Sequence, residues 1–132
     1  MKTFYLAFLA IFFLSCNDND DNTNKCIEFD TAGIETVTPA AVVDATGHYF
    51  DVGFRVINGC GQFEEFEQTT EGTVTTIGVI AKYEGCICTQ DTPLRQTVYH
   101  FTQTIPGVYT LNFKMQDGTF ITQTVVVGNS LQ

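Results

Sequence analysis

Three observations predict an all-β chain, built as an antiparallel β-sandwich of about seven strands. Apolar residues recur with a two-residue rhythm, turn-forming residues punctuate the chain about every ten positions, and no window beyond residue 15 keeps a helical period. The rhythm is clearest at 49–57. There Phe50, Val52, Phe54 and Val56 share one face while Tyr49, Asp51, Gly53 and Arg55 share the other. Tyr109, Leu111 and Phe113 alternate in the same way with Thr110, Asn112 and Lys114. Such alternation sends one face to a core and the other to water.

Taken in order, the strands are expected at 26–29, 48–58, 62–70, 73–83, 96–104, 107–115 and 119–127, each rich in the β-branched and aromatic residues that suit a pleated surface. The third differs from the rest. Glu64, Glu65, Glu67 and Glu71 crowd it, and strict alternation puts Phe63 beside Glu65 and Glu67 but Phe66 beside Glu64. This mixed pattern predicts an edge strand whose solvated charges block unwanted sheet pairing. Residues 84–95 form the longest connection expected, and Gln116-Asp117-Gly118 carries the Asp-Gly signature of a hairpin between the last two strands.

The stretch Ile105-Pro106-Gly107-Val108-Tyr109-Thr110-Leu111-Asn112-Phe113 resembles the end of bacterial immunoglobulin-like domains, where a Pro-Gly turn leads into a Gly-x-Tyr-Thr-Leu strand and a closing hairpin. The likeness is close over roughly the last thirty residues and rests on strand count elsewhere. It implies an immunoglobulin-like sandwich over 26–128, followed by a tail at 129–132. The chain has no tryptophan, so the Trp packed on a disulfide in antibody domains is missing. Tyr109 is either a corner tyrosine bonded back to the chain or a core aromatic, and the core role is the expectation.

The amino terminus sets a different question. Lys2 precedes an apolar run that is too short for a membrane-crossing helix, and FFLSCNDNDDN then passes from apolar to acidic across a single cysteine. Phe13-Leu14-Ser15-Cys16 resembles the lipobox of bacterial lipoproteins. The resemblance implies a signal peptide at 1–15, a lipidated Cys16 as first mature residue, and a membrane anchor of several acyl chains. Residues 16–25 read as a polar tether. The Asp/Asn run lacks the central Gly and distant Glu of a calcium loop. An acidic run after the cysteine is similar to the export signal of Bacteroidetes surface lipoproteins, which implies the outer face of the outer membrane, with its periplasmic face as the alternative.

Composition narrows the partners. Without Lys2, the six basic residues fall to five against 15 acidic ones, a formal charge of −10. That charge repels phosphate backbones and disfavours nucleic acid as a ligand. Apart from Cys16, four cysteines remain, an even number in keeping with an oxidising compartment. Tracing the strands up and down brings Cys26, Cys60, Cys86 and Cys88 to one pole. A Cys86–Cys88 ring is strained, so Cys60 is expected to pair with one of Cys86 and Cys88, and Cys26 with the other. The competing reading is a metal or redox cluster, although only one close Cys pair exists, at a narrower spacing than zinc sites use.

Catalytic patterns are absent. His48 and His100 fall inside expected strands without a motif, the only serine beyond the signal is Ser130, and no phosphate loop or dinucleotide fingerprint occurs. No cofactor or metal is called for. Asp30-Thr31-Ala32 resembles the Asp-Thr-small O-glycosylation motif of exported Bacteroidetes proteins, with an ordinary turn as the alternative. The expectation is therefore a non-enzymatic lipoprotein of the outer membrane or cell surface. Its immunoglobulin-like domain would present a binding or accessory surface to a protein or glycan. The pole opposite the cysteines, with 69–72 and 116–118, should face outward. Alternatives are a small disulfide-stabilised protease inhibitor using 89–95 as a substrate mimic, and metal handling by the cysteine cluster.

Overall fold

The computed structural model describes residues 26–40 and 47–129, so the expected signal peptide at 1–15, Cys16, the expected tether through residue 25, Ser130 and the rest of the expected tail lie outside the described residues. Seven strands follow one another with no helix among the described residues: β1 (Ile27–Pro39), β2 (His48–Arg55), β3 (Gly61–Glu71), β4 (Val74–Glu84), β5 (Leu94–Phe101), β6 (Gly107–Lys114) and β7 (Phe120–Val127). They build two layers. One holds β5, β2 and the second half of β1; the other holds β3, β4, the first half of β1, β6 and β7.

The opening strand is the main departure from the sequence reading. It runs to Pro39 rather than stopping near Phe29, because it serves both layers in turn. Residues 27–32 pair with β4 from Glu84 to Val79, and 33–39 pair with β2 from Arg55 to Phe50, with a bulge between Ile34 and Thr36. A bulge bends a strand and sharpens its twist, which is what a change of layer needs. Asp30-Thr31-Ala32 accordingly lies within a strand and not in a turn.

When β1 leaves, β4 still has an unpaired edge over Val74–Ile77, and β6 takes it in parallel, from Thr110 to Phe113. One pairing in the sandwich is thus parallel; all others are antiparallel. The parallel run also moves the β6–β7 turn. Because β6 climbs beside β4, residues 116–118 stop partway up the flank against Gly33, and not at the pole with 69–72 as expected. A Cβ added to Gly33 would stand 2.5 Å from Gln116 Cβ and 2.8 Å from its Cα, so the bare glycine lets the turn backbone close on β1.

The core fills the space between the layers. Phe50, Val52, Phe54 and Val56 from one layer meet Ile77, Val79, Ala81, Leu111 and Phe113 from the other, all of them buried. The two-residue rhythm read at 49–57 is this inward face. Rings link the layers: Phe113 lies 5.8 Å from Phe50 and 5.5 Å from Tyr99, and Phe101 lies 5.5 Å from Tyr109. In β3, a register shift between Phe63 and Glu65 resolves the mixed pattern. Phe63 stands opposite Ala81 and Phe66 opposite Val79, so both turn inward with rings 4.8 Å apart, while Glu65 and Glu67 point out. The strand is indeed an edge, paired only with β4.

Tyr109 takes both roles weighed for it. It is buried, and its hydroxyl donates to the Ile105 carbonyl at 2.7 Å, closing the turn ahead of β6 as a corner tyrosine does. Replacing Tyr109 with Phe keeps the ring and deletes the bond. The expected result is a loss of about 1 kcal/mol in urea unfolding, with the slope unchanged. A loss under a few tenths of a kcal/mol would deny the corner any structural role.

Candidate functional site

Two places on the sandwich gather chemistry: the cysteine pole and a cleft at the strand handover. Cys26 is bridged to Cys86 with Cα atoms 5.0 Å apart, and Cys60 to Cys88 with Cα atoms 5.4 Å apart, so the four sulfurs meet at one end in one of the two pairings expected. All four sulfurs are consumed, leaving no thiolate among them for a metal. Among the described residues no group of three or more His, Cys, Asp or Glu is placed to hold a metal ion.

The loops around the bridges are fixed by many small bonds. Asn58 Oδ1 accepts the Cys60 amide at 3.0 Å and its carbonyl accepts Gly61 at 3.2 Å, forming the tight turn that carries Cys60. Gly59 donates to Thr89 O at 3.0 Å, and Gly85 to Cys26 O at 2.8 Å. A side chain at Gly59 would collide with the Thr89 hydroxyl. The Tyr83 hydroxyl accepts the Ile57 amide at 3.1 Å.

Both arginines are spent on these loops. Arg95 Nε donates to Gly61 O at 3.0 Å and Nη2 to Gly59 O at 3.1 Å. Arg55 forks onto Glu35, with Nε at 2.6 Å from Oε1 and Nη2 at 2.8 Å from Oε2, and its Nη1 donates to Thr92 O at 2.7 Å. The hydrogen bonds from Arg55, helped by its charge, hold the Glu35 carboxyl below the usual carboxylate range. The segment 89–95 is therefore strapped to the body through Thr89, Thr92, Pro93 and Arg95. The most exposed large apolar residue at this pole is Ile87, which is 95% exposed between the two bridged cysteines.

The cleft lies on the flank. Where β1 hands the edge of β4 to β6, Gly78 leaves a depression of about 360 Å³ lined by Thr31, Glu67, Thr76, Lys114 and Gln116, among others. One carboxylate and one ammonium among several threonines and glutamines suit a polar, neutral ligand better than a strongly charged one. Sequence reading passed over this place. The signal was Gly78 itself, a lone glycine inside a strand, which often marks a close approach of another chain or ligand.

The remaining candidates scatter. Thr31 is exposed on β1 at the rim of the cleft, with its amide donating to Asp30 Oδ1 at 2.8 Å. His48 opens β2, and His100 on β5 stacks flat on Tyr49 with centroids 4.3 Å apart. The His100 Nε2 also lies 3.4 Å from the Thr102 hydroxyl, and both histidines are strand residues. Asp117 is absorbed by its own turn. It accepts the Thr119 hydroxyl at 2.6 Å and amide at 2.9 Å, bonds that hold its carboxyl pKa below the usual carboxylate range.

Fold and pole together define a class: an immunoglobulin-like β-sandwich of seven strands, clamped at one end by two disulfides rather than pinned through its centre by one. Residues 50–127, more than half of the chain, match the ORF11 beta-sandwich domain family, and the chain belongs to that family. The match begins within β2 and contains Cys60, Cys86 and Cys88 but not β1 or Cys26. No curated protein and no solved structure matches the chain.

Proposed function

We propose that this chain is a non-enzymatic lipoprotein of the outer membrane or cell surface, acylated at Cys16, whose sandwich offers a binding surface to a protein or glycan. The observation that carries the reading is the pair of disulfides at the pole where the chain arriving from residue 25 enters β1. Stable disulfides belong to compartments outside the reducing cytosol. An apolar run, a cysteine and a polar stretch ahead of such a pole form the order of an export signal, an anchor and a spacer. In this arrangement the cysteine pole lies nearest the bilayer, and the flank cleft by Gly78 and the turn at Gly72 lie farther out.

The anchor is tested by growing cells that express the full chain with a labelled fatty acid. Label should enter the wild-type chain and be lost on Cys16→Ser. A wild-type chain that is exported, cleaved and free of label would defeat the proposal.

A further inference from the structure

Every sheet edge except one carries protection against pairing with another chain. On β3 this is a bulge and four glutamates, Glu64, Glu65, Glu67 and Glu71. On β1 it is Glu28, Asp30 and Glu35, the bulge after Ile34, and Pro39. On β5 it is Arg95 with Pro93 just ahead. The last strand, β7, has none of these devices. Its sequence FITQTVVV holds no charge, proline or glycine, and it pairs with β6 over eight residues without a register shift. Its other edge meets no strand among the described residues. A long, regular, uncharged edge is a template for strand addition.

We propose that β7 is a self-association edge, at which two copies of this chain join their sheets by antiparallel β7–β7 pairing about a twofold axis. Charge argues for a second copy over most other contacts between copies. The chain carries a formal charge of −9, so its acidic strands repel their own likeness, whereas β7 can meet itself without opposing any charge. The side chains fix the register. Phe120, Thr122, Thr124 and Val126 face outward, because they lie opposite the outward residues Lys114, Asn112, Thr110 and Val108 of β6. A twofold axis perpendicular to the sheet keeps that face outward in both copies, and centring it on Gln123 sets Phe120 against Val126 of the second copy and Thr122 against its Thr124. Aromatic with β-branched and Thr with Thr are both favourable cross-strand pairs. Phe120 and Val126, 47% and 66% exposed in the single chain, would cover each other at both ends of the joint.

The test is sedimentation of the full chain in a detergent with an uncharged headgroup, at concentrations up to about 0.5 mM. The wild type should show a reversible monomer–dimer equilibrium. Thr124→Glu, at an exposed position, should weaken association about tenfold. Adding Thr122→Lys to it should restore association, because the register sets each new Lys against a new Glu. Thermal unfolding of each variant confirms that it folds, and Val126→Glu serves as a second disruptor. A wild type that stays monomeric throughout, a dimer indifferent to Thr124→Glu, or a folded double variant that fails to recover would each overturn the proposal. So would a photo-crosslinker at Val126 in cells that couples to a different protein instead of to β7 of a second copy. None of these readouts depends on Cys16 being acylated.

Discussion

Replacing both members of either disulfide with alanine should lower stability by several kcal/mol. The Cys26–Cys86 bridge spans 60 residues and the Cys60–Cys88 bridge 28. Restricting the unfolded chain over those lengths is worth about 4 and about 3.5 kcal/mol respectively. A domain of this size commonly has only about 5 to 15 kcal/mol in all. The two spans interlock, since Cys60 lies within the longer loop and Cys88 just beyond it, so each bridge shortens the path that the other closes. With one bridge in place the other closes a shorter loop and contributes less than its isolated value, so removing both should cost more than the two single losses added together. Calorimetry of the paired variants should show the midpoint falling by roughly 15 °C or more for either pair. If the Cys60 and Cys88 variant melted within a few degrees of wild type, the pole would be an ornament rather than a clamp.

The second large effect is expected at Phe113. Its side chain is fully buried, and its ring faces Phe50 and Tyr99 on the opposite layer. Phe113→Ala removes the ring where β6 joins β4, and the surrounding strands cannot collapse to fill the space. A loss of about 3–5 kcal/mol should appear in urea unfolding. Phe120→Ala, on the outward face of β7, should cost less than about 1 kcal/mol in the monomer. A comparable loss for both would contradict the placement of the core.

Most of the fold was legible because two-sided strands write their burial into alternate residues, as at 49–57 and 109–114. The cysteine pole was legible for a related reason: an up-and-down order of strands fixes which chain ends meet. What escaped were features that alternation cannot encode. The length of β1 was hidden by Asp30, Gly33 and Pro39, residues that elsewhere punctuate turns but here accompany a change of layer. Parallel pairing of β6 with β4 leaves no local mark, so the position of residues 116–118 on the flank was misjudged, and the cleft beside them was missed. In β3 a one-residue bulge shifted the face of every later side chain, which turned a regular inward pair, Phe63 and Phe66, into an apparent muddle.

The Cys26–Cys86 bridge also decides how the domain answers a mechanical pull. Tension applied to the chain ahead of Cys26 would otherwise peel β1 from β4 one hydrogen bond at a time, starting at Ile27 and Glu84. The covalent link carries that load across to Cys86, past the end of β4, and Cys60–Cys88 spreads it to the start of β3. Load entering ahead of Cys26 is thus borne by sulfur before it reaches the sheet, and the first strand is spared the unzipping geometry that ruptures at low force.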